Sequence, residues 1–258
     1  MLFYLCADAH VSFEDTPREN AVLIAPNSFQ TGGRREGGAE SGTKEKAVTD
    51  FYSKTHNHII ESLEYHASDG RAGLSMWLRG YLAGADSKRT LDFGCGIATD
   101  ALGLAADGFE SCAIDLPGPT HEFAKWRAAD RGLNVAFYET DLHAPSSPIP
   151  ATAGSFDAIF AFEVLMYFAD PLMVVEHLAS RLNSKGLLIL SVRFINNHSL
   201  VVSSSWTQAQ FADEICKKSR LLSLKRTFHA WGPANDERGK TVFVFGRKPK
   251  RPNADDRE

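Results

Sequence analysis

Residues 91–100 read LDFGCGIATD: an apolar run meets an acid, Asp92, and then two glycines, Gly94 and Gly96, on either side of Cys95. Glycines spaced this way let backbone approach a ligand that side chains would hold off. Two more acids close apolar runs downstream, Asp115 at the end of FESCAID and Asp141 at the end of NVAFYETD. A carboxylate about twenty residues beyond a glycine loop can accept hydrogen bonds from both hydroxyls of a ribose. One acid alone would be a loop residue or a helix cap, but three at successive run ends around one glycine loop point to a nucleoside site. A dinucleotide loop needs a third glycine where Thr99 stands, so that pattern is absent. Asp92, just ahead of the loop, suits a cationic ligand better than a phosphate.

These residues need a scaffold that gathers strand ends in one place. From residue 89 onward strands and helices alternate. TLDFG (90–94), FESCAID (109–115), NVAFYETD (134–141), FDAIFAFEV (156–164) and LLILSVRF (187–194) have the nearly continuous apolar character of strands buried on both faces. Between them lie helices over 100–108, 120–132 and 170–186. Thr120 is the expected cap of the second, and Asp170 before Pro171 opens the third. This is the pattern of a doubly wound, mostly parallel α/β sheet, in which ligands sit beyond the carboxyl ends of the strands. The ending differs: LLSLKRTFHAW (221–231) and KTVFVFGRK (240–248) are too closely connected for a crossover helix, which predicts an antiparallel hairpin and seven strands in all. Ahead of the core, residues 47–88 carry helical stripes (Phe51, His58, Ile59, Leu63; then Leu74, Trp77, Leu78, Tyr81, Leu82) expected to form a lid. Residues 1–46 form an extension with a short apolar run at 21–25 and a Gly-, Ser- and charge-rich segment at 27–46 read as a flexible linker. Residues 249–258 are a polar tail.

Composition excludes several partners. The 258 residues are 43% hydrophobic with a net charge of −4, which gives no electrostatic case for nucleic acid. No apolar run reaches membrane-span length, and the N-terminus lacks the basic start of a secretory signal. The four cysteines (Cys6, Cys95, Cys112, Cys216) have neither metal-ligand spacing nor a disulfide framework, so no metal is expected and a cytoplasmic setting fits best. Cys95 reads as a small filler in the loop.

Over roughly residues 47–248 the chain resembles the class I S-adenosylmethionine-dependent methyltransferases, whose fold is Rossmann-like. DFGCGIA matches the family's acid-GxGxG motif through Asp92, Gly94 and Gly96, with Ala98 in place of the last glycine. FDAIFAFEVLMYF matches the family's FDxIxxxEVLEH-like segment, with Met166 and Tyr167 in place of Glu-His, and the closing hairpin is typical of the same family. The resemblance implies S-adenosyl-L-methionine as cofactor and S-adenosyl-L-homocysteine as product. It places Asp115 on the ribose with Leu116 beside the adenine, and Asp141 with Leu142 near the adenine amino group. Cys95 and Phe162 join the cofactor set, and Tyr52 reaches the methionine end.

A sulfonium cofactor carries its own leaving group, so the protein supplies alignment, water exclusion and, for a weakly acidic acceptor, a base. Glu163, at the end of the fourth strand, is the first candidate base, followed by Tyr167 and His198; His66 and His143 also lie where loops meet the cofactor. Arg193, Asn196, Asn197 and His198 form a substrate-loop candidate suited to a polar or carboxylate-bearing small molecule. Methyl transfer to such an acceptor, in secondary metabolite biosynthesis, is the expected function. Two other readings keep the fold: a non-methylating reaction such as intramolecular displacement or cyclisation, and a non-catalytic subunit docked on a partner. Exposed aromatic helices and residues 27–46 offer surface for a homo- or hetero-oligomer.

Overall fold

The computed structural model describes residues 39–141, 148–194, 206–219, 221–231 and 240–248. Seven strands form one sheet in the order β3-β2-β1-β4-β5-β7-β6. They are β1 (Arg89–Phe93), β2 (Glu110–Asp115), β3 (Val135–Glu139), β4 (Phe156–Phe162), β5 (Leu182–Ser191), β6 (Leu222–Trp231) and β7 (Lys240–Arg247). The pairings among β1 to β5 are parallel, and β7 runs antiparallel to both β5 and β6. The chain runs outward from β1 to β3 and then returns to β4, so the strand order reverses between β1 and β4. A ligand crevice opens at such a point because the flanking connections leave on opposite faces.

The helices are α1 (Ala39–Tyr52), α2 (Asn57–Ala67), α3 (Asp69–Gly84), α4 (Thr99–Ala106), α5 (Pro119–Asp130), α6 (Pro171–Ser180) and α7 (Gln208–Lys218). Strand alternation decides what each face buries. Leu91, Phe93, Ile159 and Ala161 pack with Val48 of α1, Val174 and Leu178 of α6 and Phe211 of α7. Ala158, Phe160, Ile189 and Val244 face the other way, onto Leu74, Leu78 and Leu82 of α3. Phe93, Phe156, Phe160, Phe168, Phe211 and Phe245 are fully buried, each stabilising the fold by about 1.5–3 kcal/mol relative to exposure. Asp92 falls on the α3 face of β1, which aims it at the polar groups described below.

Four features depart from the sequence expectation. Thr120 does not cap α5, which starts at Pro119 after Gly118, and its hydroxyl meets no backbone amide among the described residues. The helix over 170–186 ends at Ser180, although its start is as expected, with the Asp170 carboxylate accepting from the Met173 amide at 2.9 Å. Beyond it Leu182 pairs with Phe156, and the Asn183 amide donates to Asp157 at 2.6 Å, so β4 draws these residues into β5. Helix α1 starts at Ala39, upstream of Ala47, because AESGTKEK lacks helix breakers other than one glycine and extends a helix whose apolar end is Val48–Tyr52. Helix α7 was not expected, yet it carries a capping box in which Thr207 and Gln210 satisfy each other's backbone amides. No helix among the described residues is long and apolar enough to cross a membrane. The 21–25 run and the 249–258 tail lie outside the described residues.

Candidate functional site

A cavity of about 210 Å³ lies at the reversal point, beyond the ends of β1, β2 and β4 and beneath α1, α2 and α3. Its floor is the glycine loop. Gly94 has φ 74°, and a side chain there would run into Val164, so only glycine allows the β1 and β4 loops this close an approach. A side chain at Gly96 would meet no atom within 4 Å, so open space lies over that backbone. Ala98, in place of the motif's last glycine, also sits in the left-handed region with φ 55° and is fully buried. For an alanine this conformation costs roughly 1–2 kcal/mol.

At the end of β2 the Asp115 carboxylate accepts from the Gly96 amide at 2.6 Å and the Leu116 amide at 2.7 Å. Burial pushes its carboxyl up and outweighs these two hydrogen bonds. Thr120, in the first turn of α5, and Thr140, just after β3, line the same end of the cavity. Their hydroxyls are buried and have no hydrogen-bond partner among the described residues. Burial also pushes the Cys95 thiol up, followed by the nearby Asp115 and Asp92 charges, so it stays protonated and unreactive at neutral pH.

The opposite end is built around a buried ion pair. The Arg71 guanidinium of α3 is bidentate to Asp100 in the first turn of α4, and the Ser75 hydroxyl donates to the same carboxylate. Burial alone would raise the Asp100 carboxyl, but Arg71 outweighs it and holds the group below the usual carboxylate range. Asp92 is displaced the other way, by burial first and then by the Asp100 charge, with Arg71 offsetting part of the effect. The guanidinium also lies 5.5 Å from the Phe162 ring centroid.

Glu163, immediately after β4, has φ 56°, a left-handed conformation that is strained for any residue with a side chain. Ser191 holds it on both sides: its carbonyl accepts the Glu163 amide at 2.8 Å, and its hydroxyl donates to Oε1 at 2.9 Å. Arg193 Nε lies 3.5 Å from Oε2. Tyr167, in a short 3₁₀ turn (Leu165–Tyr167), accepts a hydrogen bond from the Tyr52 hydroxyl at 2.9 Å. Burial raises both phenols above their usual range. Tyr167 is therefore a neutral hydrogen-bonding group at neutral pH and not a ready base. Helix α1 is seated by Gly118 as well, where an added Cβ would lie 2.9 Å from the Tyr52 carbonyl oxygen.

Of the residues singled out in the sequence, Tyr52, Asp92, Gly94, Cys95, Gly96, Asp115, Leu116, Phe162, Glu163 and Tyr167 all line this one cavity, as does His66. Asp141 is exposed, and the lining residue from its segment is Thr140. Leu142, His143, Asn196, Asn197 and His198 lie outside the described residues. Sequence reasoning missed Arg71, Asp100, Thr120, Thr140 and the inward face of α2, His58, Ser62 and Tyr65. Arg71 did leave a signal, since it stands in register with Leu74, Leu78 and Leu82 on the buried stripe of α3, where an arginine requires a partner.

A methyltransferase-domain family model matches residues 66–237. The chain is 30% identical over 122 residues to a ubiquinone biosynthesis O-methyltransferase of Haemophilus ducreyi, covering 46% of this chain and 52% of that protein. It is also 30% identical over 134 residues to the protein of that name from Marinobacter nauticus, covering 52% and 51%. The chain thus spans about half the length of the curated relatives it matches. Among solved structures, magnesium protoporphyrin IX methyltransferase from Synechocystis PCC 6803 with bound SAM superposes with TM-score 0.61 at 18% identity, over 80% of this chain and 97% of that one. The N-methyltransferase NodS from Bradyrhizobium japonicum, in complex with S-adenosyl-L-homocysteine, gives 0.55 at 19% identity, over 70% and 89%. At these identities the two structures speak to the fold alone.

Proposed function

The chain belongs to the methyltransferase-domain family, and on that premise we propose that it transfers the methyl group of S-adenosyl-L-methionine to an oxygen of a small-molecule acceptor. The observation that carries the cofactor assignment is the adenosine end of the cavity. Asp115 offers a buried carboxylate to ribose hydroxyls, and the Thr120 and Thr140 hydroxyls, without a partner among the described residues, can meet the polar edge of a base. The open space over Gly96 admits the ligand against backbone. These groups fit a nucleoside without phosphates, because the acids around the loop would repel an anion and attract a sulfonium or ammonium.

The bound cofactor would supply an electrophilic methyl group with its leaving group attached. The protein's part is to align and to exclude water. Tyr52 and Tyr167 close the cavity through their hydroxyl contact, which makes α1 to α3 a lid. At about 210 Å³ the cavity is smaller than the roughly 300–1,000 Å³ usual for small-molecule sites, so holding cofactor and acceptor together calls for the lid to move outward. Glu163, locked by Ser191 and facing the same cavity, is placed to take the acceptor's proton. Oxygen as the acceptor atom, and a biosynthetic setting, are favoured by the names of the relatives from Haemophilus and Marinobacter.

Calorimetric titration with S-adenosyl-L-homocysteine tests the cofactor reading: the folded protein binds one equivalent, and Asp115→Ala weakens binding at least about tenfold, as loss of a charged hydrogen-bond acceptor should. Absence of binding to folded protein would overturn it. Methyl transfer from labelled cofactor across hydroxylated, carboxylated and amine acceptors tests the acceptor class, with labelled amines as the only products counting against oxygen.

A further inference from the structure

We propose that His121, Glu122 and Glu139 form a binding site for one divalent transition-metal ion of the zinc class, outside the cofactor cavity. One ligand atom from each residue lies within 4.8 Å of the other two. His121 is 1% exposed, and neither ring nitrogen has a hydrogen-bond partner among the described residues. Buried imidazole nitrogens are ordinarily satisfied, so two unmet ones beside a pair of carboxylates call for a ligand. The ring is held by an edge contact to Phe137, 5.6 Å between centroids, and Phe137 and Glu139 share one face of β3 by strand alternation.

The carboxylates are already arranged around a positive charge. Lys125 Nζ lies 2.7 Å from Glu122 and 3.5 Å from Glu139. That lysine is one helical turn beyond His121 on a long, partly exposed stem that can swing into solvent when an ion enters. One nitrogen and two carboxylate oxygens suit Zn²⁺, Co²⁺ or Mn²⁺, with solvent completing the coordination. The ion would tie α5 to the end of β3, where Glu139 stands in register with Asp115. None of the three ligands lines the cavity, so the site stands apart from the methyl-transfer reading.

The test is titration of the full chain with Co²⁺ or Zn²⁺ alone, followed by calorimetry and, for Co²⁺, by visible d–d absorption. One equivalent is expected to bind with a Co²⁺ spectrum of nitrogen-containing coordination. His121→Asn should weaken binding about tenfold or more and abolish that spectrum. Lys125→Ala should tighten binding about tenfold, because a like charge a few ångströms from the ion is gone. If His121→Asn does not fold by circular dichroism, Glu139→Gln at an exposed position should weaken binding about tenfold while the nitrogen-containing Co²⁺ spectrum persists at saturation. Binding unchanged in these variants, or no binding to the wild type at millimolar metal, overturns the proposal.

Discussion

Replacing Asp100 by Asn should destabilise this protein severely. Arg71 is 3% exposed, and Asp100 accepts hydrogen bonds from both terminal nitrogens of its guanidinium and from Ser75. Asn keeps the shape but removes the countercharge, and its amide presents donors where the guanidinium also presents donors. Breaking a buried ion pair by neutralising one partner costs about 3–5 kcal/mol. Against a typical stability of about 5–15 kcal/mol this is a large fraction, equivalent to a fall of about 6–20 °C in Tm for a chain of this size. Urea denaturation of the full chain, followed by circular dichroism and tryptophan fluorescence, gives the number directly. A charge-free pair, Arg71→Met with Asp100→Leu, should recover most of the loss, because removing both ions also removes their desolvation cost. A single variant within about 1 kcal/mol of wild type, the range of an exposed pair, would refute the reasoning. So would a double variant no better than the single one. Because the folded Asp100 carboxyl titrates below its ordinary range, the pair's contribution persists at neutral pH and is lost only as pH falls through that lowered value.

Gly94→Ala should cost about 1–2 kcal/mol for its left-handed φ, plus the collision with Val164, and should abolish S-adenosyl-L-homocysteine binding in calorimetry; Val164→Ala does not relieve the collision, because the Val164 Cβ itself lies 2.6 Å from the added carbon, whereas Val164→Gly relieves it but not the φ penalty. Cofactor affinity should fall on acidification at a pH above the ordinary carboxylate range, because the raised Asp115 protonates there and loses acceptor strength; Asp115→Asn should bind weakly and flatten this profile. Asp92→Asn should stabilise the protein at neutral pH. The folded Asp92 carboxyl is raised, so the fold favours its protonated form and loses that contribution as pH rises through the raised value; an urea series against pH checks the sign. Tyr167→Phe should cost about 1 kcal/mol by leaving the Tyr52 hydroxyl without its partner, and should speed cofactor dissociation in stopped-flow measurements by loosening the lid.

The order of strands and helices from residue 89 to the end of β5 was legible because its signals are local, whereas α7 beyond it was not foreseen. Apolar strand runs, Asp170 before Pro171 and glycines after helices act within a few residues. The acid-Gly-x-Gly run and Asp115 were legible for the same reason: each reads as a strand end followed by a turn. The end of α6 at Ser180 was not, since it is set by pairing of Leu182 with Phe156 across the sheet. Nor was the identity of the cavity walls. Tyr52 and Tyr167 are 115 residues apart and Arg71 and Asp100 are 29 apart, and nothing in the local pattern of either partner specifies the other. By itself, then, the sequence determined a doubly wound sheet with a nucleoside-type loop at its strand ends, because periodicity and turn chemistry are short-range. Only the tertiary structure decided which side chains enclose that loop and which acids stay charged, because burial and charge pairing depend on segments that meet only when the chain has folded.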